Sequence, residues 1–376
     1  MKVLVIPDSF KGSLTATEVS EIMVNSIQSV FPNSNALSFP FSDGGEGALT
    51  VLKTHVKGKL KVCKATDALK RPLDAPYFLF HDQKRAWIEL SQTAGLTQLH
   101  ETERNALTTT TWGTGKMIEN ALDKGCETIY LGIGGSATQD LGIGIISALG
   151  GHFLDQNARE LPFGGGELHR LQKIDLRKLN PKARNCNWII ACDVENPLLG
   201  KQGTAHTYAK QKGASQKDIE KLEKGGVRFA EIVKKQFGIN LGPVKGGGAA
   251  GGVGAGLFGL LGARIENGFE LLAELTGLKN HLTNMDLILT GEGSFDQQSL
   301  FGKLPIQVAK LANKEEIQTL IVAGNAKLEK LRDMPYCKIL NCTPDGIPIN
   351  EALKNAESNL RNTLVKELKN LKMQNK

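Results

Sequence analysis

Residues 127–140 read ETIYLGIGGSATQD. The first six are rich in β-branched, aromatic and aliphatic side chains and predict a strand over 127–132. Gly132-Ile133-Gly134-Gly135-Ser136-Ala137 follows with GxGxxA spacing, and the apolar pattern beyond it predicts a helix over 136–149. Strand, glycine turn and helix in that order are one arm of a βαβ unit. The same order recurs along the chain. Strands are predicted at 2–6, 36–41, 188–192, 286–290, 319–323 and 338–341. Helices are predicted at 15–30, 47–53, 114–124, 249–261 and 304–312, and at 216–237 with a break at Gly225-Gly226. Repetition of the unit argues for an α/β protein with largely parallel sheets. Two β-like runs, 59–65 and 76–90, interrupt the alternation and suggest a second domain. The expected organisation is a discontinuous Rossmann-like α/β domain (1–55 plus 285–376) with a second α/β domain (56–284) inserted into it.

Composition fits a soluble globular protein. The chain has 376 residues, 46 basic and 39 acidic, with 40% hydrophobic residues, which excludes a disordered chain. No apolar run approaches the ~20 residues of a membrane span, and the N-terminal apolar run is too short for a signal peptide. The six cysteines lack CxxC or zinc spacing, as expected for reduced thiols in a cytoplasm. The net charge of +7 concentrates in 208–235 and 350–376, which read as amphipathic helices. Leu353, Leu360, Leu364, Leu368 and Leu371 form the stripe of the second. No nucleic-acid recognition motif accompanies either segment.

Glycine is the surplus residue, 42 of 376, and it gathers after predicted strands. The strand at 2–6 ends in Pro7-Asp8-Ser9-Phe10-Lys11-Gly12, and that at 36–41 in Ser42-Asp43-Gly44-Gly45-Glu46-Gly47. The strand at 127–132 ends in the glycine loop and Asp140. The strand at 188–192 is followed by Asp193-Val194-Glu195, and that at 286–290 by Gly291-Glu292-Gly293-Ser294-Phe295-Asp296. In open α/β sheets ligands bind beyond the carboxyl ends of strands. Backbone N–H groups there can cradle phosphates, and one or two carboxylates can hold a divalent ion. Lys11, Lys212, Lys245 and Lys303 each stand close to a glycine, placed to meet an anion. Walker A, protein-kinase and GxSxG signatures are absent from the sequence. The GxGxxA run, with Asp155 after the next predicted strand, also admits a nicotinamide oxidoreductase. A non-catalytic module that binds sugar acids would show the same cradle.

Seven segments together resemble the bacterial type-1 glycerate kinase family: PDSFKGSL (7–14), SDGGEG (42–47), GIGGSATQD (132–140), DVENPLLG (193–200), QKGA (211–214), GGAAGG (247–252) and GEGSFDQQSLFGK (291–303). They stand in the family's order. The chain departs from the usual pattern at Ser42, at Gln139 and Leu141, and at Lys245-Gly246. The resemblance implies a two-domain α/β fold with the active site in the cleft between domains, and ATP-dependent phosphorylation of D-glycerate, usually at the 2-hydroxyl. It implies Mg²⁺ as cofactor, D-glycerate and ATP as the binding partners, no nucleic acid or membrane partner, and a monomer or homodimer. The expected catalytic residues are Asp8, Lys11, Asp43 and Asp193. Ser9, Lys11, Glu46 and Lys212 are expected to hold substrate. Gly134, Gly135, Ser136, Ala137, Thr138, Glu292, Gly293 and Lys303 are expected to hold the nucleotide, and Asp193 and Asp296 the metal.

Overall fold

The computed structural model describes residues 1–10, 12–41, 47–328, 330–344 and 346–374, with Gln298 and Phe301 described by backbone alone. Its strands are β1 (Lys2–Pro7), β2 (Asn35–Ser38), β3 (Gly58–Thr66), β4 (Pro72–Phe80), β5 (Arg85–Glu89), β6 (Thr128–Gly132), β7 (His152–Leu154), β8 (Lys173–Asp175), β9 (Asn187–Ala191), β10 (Arg264–Glu266), β11 (Leu287–Phe295), β12 (Gln318–Ala326) and β13 (Cys337–Asn341). The chain forms two compact units: Met1–Asp43 with Ala273–Lys376, and Gly44–Leu272.

The first unit is built on a five-stranded sheet in the order β13-β12-β11-β1-β2, parallel throughout. Both faces are covered, so its central strands are continuously apolar. Val3, Leu4, Val5 and Ile6 are fully buried. One face packs Val3, Val5, Leu287 and Leu289 against the helices Ala16–Val30 and Ala356–Gln374, through Val19, Met23, Leu360 and Leu364. The other face packs Phe295, Ile321 and Ala323 against Ile306 and Ala309 of the helix Leu304–Lys314. Thr15 and Glu18 form a capping box that starts the first helix. Leu364 has no exposed surface. Leu364→Ala should therefore lower the unfolding free energy of this unit by about 2–5 kcal/mol in chemical denaturation, and a loss well below that range would show that the final helix is not packed on the sheet.

The second unit has a six-stranded sheet in the order β10-β9-β6-β5-β4-β3 and a two-stranded β7-β8 ladder. β5, β6, β9 and β10 run parallel, and β3 and β4 add an antiparallel edge. Both units are thus α/β, as expected. Several local expectations differ. The run at 76–90 is two strands, β4 and β5, joined by a turn. The helix expected at 136 begins at Ile143 (Ile143–Ala148). The helix Gln216–Phe237 is unbroken. Its two glycines are buried, and a Cβ on Gly226 would stand 2.9 Å from Leu199, so they permit close packing instead of breaking the helix. β11 continues past Thr290, paired with β12 as far as Phe295 and Ala326. Among the described residues no helix is long and apolar enough to cross a membrane.

Candidate functional site

In the first unit, β1 lies between β2 and β11, so the chain winds one way from β1 to β2 and the other way to the later strands. Ligand cavities form at the carboxyl ends of strands at such a reversal. The pairing of Pro7 with Gly291 brings the residues after β1 alongside the second half of β11, and the Asp8 N–H donates to the Gly291 carbonyl at 2.9 Å. A cavity of about 550 Å³ opens there. It gathers five residues expected from the sequence: Asp8, Ser9, Glu292, Gly293 and Lys303.

The polar end of this cavity is closely organised. The Ser9 N–H donates to Asp8 Oδ1 at 2.6 Å, which orients the carboxylate. Glu292 is 6% exposed. Lys303 Nζ donates to Glu292 Oε2 at 2.9 Å and to the Ser294 carbonyl at 3.3 Å. Glu292 Oε1 is buried and has no hydrogen-bond partner. Burial pushes the Glu292 carboxyl above the usual range, the Ser299 hydroxyl and Lys303 oppose this, and the neighbouring negative charge of Asp8 adds to it. Close backbone approach shapes the floor: a Cβ on Gly324 of β12 would stand 2.7 Å from the Gly293 carbonyl oxygen. Asp296 lies in the turn after β11, where its N–H donates to Ser299 Oγ.

The far wall is not legible in the sequence motifs. Segments following β12 and β13 supply Asn325, Asn341, Thr343, Ile347, Ile349 and Leu353. By spacing, Leu353 belongs to the buried stripe of the last helix. Instead it lies in a separate short helix, Ile349–Lys354, and is 37% exposed. The available signal is a pair of apolar residues, Ile349 and Leu353, one helical turn apart on a short segment set off by Pro344 and Pro348.

The glycine loop belongs to the second unit. Gly134 and Gly135 form a turn that reaches the surface, and among the described residues their N–H groups donate to no other group. Ser136, Ala137 and Thr138 are buried, and the Ala137 N–H is already donated to the Ala94 carbonyl. Lys212 is 2% exposed and grips this loop from within, donating to Ser136 Oγ and to the Thr138 carbonyl, each at 2.8 Å. Burial pushes its ammonium down to about 7, and the charge of Asp140 opposes that. Asp140 is fully buried and accepts from the Thr111 N–H, the hydroxyls of Thr110 and Thr111, and the N–H groups of Gly142 and Gly144. The next residue, Leu141, takes a left-handed φ of 54°, where L side chains are strained. From the other side, Gly251 sits so close that a Cβ would stand 2.0 Å from the Thr138 carbonyl oxygen.

The dinucleotide geometry is absent. The GxGxxA run leads into buried loop, not a helix N-terminus. Asp155 follows β7, outside the six-stranded sheet, and its carboxylate accepts from the N–H groups of Asn157 and Arg159 and from Arg170. Of the expected metal ligands, Asp193 belongs to the second unit and Asp296 to the first. Asp193 Oδ1 accepts from the N–H groups of Gly268 and Phe269, at the start of the helix Gly268–Thr276. Among the described residues no three His, Cys, Asp or Glu side chains cluster as a metal site. Lys11, Asp43 and Glu46 lie outside the described residues.

Comparison with known proteins matches the chain to one family. The sequence profile of the glycerate kinase family matches residues 3–371. Glycerate kinase of Halalkalibacterium halodurans is 39% identical over 86% of this chain and 85% of its own. Glycerate 2-kinase of Escherichia coli is 38% identical over the same shares, and glycerate kinase of Bacillus subtilis is 36% identical over 96% of each chain. The crystal structure of a candidate glycerate kinase 2 from Salmonella typhimurium LT2 superposes with a TM-score of 0.85 at 35% identity, covering 100% of this chain and 99% of that one.

Proposed function

Because the chain belongs to the glycerate kinase family, we propose that it transfers the γ-phosphoryl group of ATP to the 2-hydroxyl of D-glycerate. It is a kinase, and the 2-hydroxyl is supported by its similarity to the E. coli glycerate 2-kinase. The observation that carries the reading is the cavity at the strand reversal, where Asp8, Glu292 and Lys303 converge.

The glycerate hydroxyl oxygen attacks the γ-phosphorus, the bond to the β-γ bridging oxygen breaks, ADP leaves, and the hydroxyl proton passes to a carboxylate. Asp8 is the acceptor we assign: it is held by Ser9 and borders open cavity. Such transfers depend mostly on positioning and charge neutralisation. Lys303 supplies positive charge beside Glu292, and Gly134 and Gly135 of the second unit keep the nucleotide role that the resemblance implies. Lys212 is buried in its own loop, so we assign it to positioning that loop. Lys11, Asp43 and Glu46 keep the roles that the resemblance implies.

Mg²⁺ fits the polar end of the cavity, since Glu292 presents a buried oxygen without a partner and Mg²⁺ needs only one or two carboxylates beside substrate phosphates. Glu292 would hold it, with Asp296 the next acid along the same segment, and Asp8 keeps the proton-accepting role. A divalent ion held there would supply charge neutralisation for the phosphates. Asp193, with Oδ1 engaged at a helix start, is assigned to fixing its loop. Four of the six cysteines are buried and none is paired, which suits the reducing cytoplasm where both substrates occur.

With Mg-ATP present, ADP release should require D-glycerate, and added enolase, which acts on 2-phosphoglycerate and not on its 3-isomer, should consume the product. No ADP above background rejects the kinase reading. Product that enolase leaves untouched rejects the 2-hydroxyl.

A further inference from the structure

The cavity of the first unit has two chemically distinct ends, and the reaction just described uses one. Its volume of about 550 Å³ is in the range of sites for drug-sized ligands, and a three-carbon acid fills a small part of it. Beyond the polar end, the wall carries exposed apolar side chains. Ile347, Ile349 and Leu353 line it, and they are 36%, 74% and 37% exposed. Apolar side chains this exposed around one concavity mark a binding surface. Two carboxamides stand among them. Asn325 and Asn359 line the same cavity, and their side chains make no hydrogen bond within the described chain. Asn341, by contrast, is fixed, accepting from the Ala326 N–H and donating to the Thr343 carbonyl.

We propose that this end is the nucleobase subsite: the adenine of ATP lies against Ile347, Ile349 and Leu353, its polar edge meets the carboxamides of Asn325 and Asn359, and its triphosphate points toward Lys303. The proposal rests on the kinase reading for the identity of the nucleotide. The cavity itself argues for a ligand with a flat apolar part and an anionic part, which is the chemistry of a nucleoside triphosphate. The base has an apolar face and donor and acceptor edges. The polar end holds one lysine against two acids, so the anionic part would enter there with its divalent ion.

The test is calorimetric titration of the whole protein with ATP and, separately, with inorganic tripolyphosphate, for the wild type and for Ile349→Asp and Leu353→Asp. Both side chains are substantially exposed, so either substitution leaves the buried core intact. The expected result is a loss of ATP affinity of about tenfold or more in each variant, from lost apolar contact and added negative charge. Tripolyphosphate affinity and the KM for D-glycerate should stay within about twofold. Unchanged ATP affinity in both variants overturns the proposal, as does an equal loss for ATP and tripolyphosphate, or a rise confined to the KM for D-glycerate. Because the titration needs no turnover, the two readings fail separately. A wild-type protein that binds ATP but releases no ADP rejects the kinase alone, whereas variants that bind ATP normally reject the subsite alone.

Discussion

Replacing Asp8 with asparagine is expected to lower kcat by roughly a thousandfold, within the 10²–10⁴ range of a lost general base, while the KM for ATP moves by a few fold at most. Asparagine keeps the shape of the side chain and can still accept the Ser9 N–H through its amide oxygen, so the loop after β1 should hold its course. What it cannot do is take the proton of the attacking hydroxyl. The expected pattern is therefore an equal fall in kcat and kcat/KM, the mark of an interaction made in the transition state. Steady-state assays with varied D-glycerate and ATP measure it directly. Near-normal turnover would remove Asp8 from the chemistry and leave it a role in orienting the loop.

The second large effect concerns Lys212 and appears in stability against pH. In the unfolded chain its ammonium keeps its proton to about pH 10.5, whereas in the fold it gives it up near 7. Between those values the unfolded state binds one more proton than the native state, so this group makes stability rise with pH, by about 1.4 kcal/mol per unit at most. The contribution is complete above the unfolded value and lost as pH falls through the folded one. Lys212→Met should remove that slope between pH 7 and 10.5, as measured by denaturant unfolding of both proteins across the range. Parallel curves would show that the lysine is not buried as a neutral amine. The same variant leaves the Thr138 carbonyl without its donor, so turnover should also fall.

Sequence pattern and structure agree where the signal is local. A short apolar strand followed by Asp8-Ser9, or by Gly291-Glu292-Gly293, is legible by itself, because strand ends are set by neighbouring residues. The alternating strands and helices reveal the α/β class for the same reason. The glycine loop misleads because its order comes from far away. The Asp140 carboxylate is claimed by Thr110 and Thr111, about thirty residues earlier in sequence, and that holds residues 136–142 out of a helix which their own pattern favours. Likewise Gly225 and Gly226 read as a break until Leu168 and Leu199 are seen against them. The far wall of the cavity is hidden because a periodic leucine pattern joins Leu353 to Leu360, Leu364 and Leu368, although only the last three are buried. Charge follows a similar course: the basic helices are amphipathic, with Ile219, Leu222 and Phe229 buried along the first.

The central strand of the first unit pairs Val3 with Leu287. Partners that far apart in sequence cannot meet on a ribosome until most of the chain has emerged. The inserted unit, Gly44–Leu272, leaves the tunnel whole before then and can fold as a unit while β1 still waits. During that interval β1 can pair with β2 on one side only, and its other edge is open, the kind of apolar edge that aggregates when left unpaired. The order of synthesis therefore makes the returning segment, Ala273–Lys376, a guardian of the first few residues, since only its arrival closes the open edge of β1.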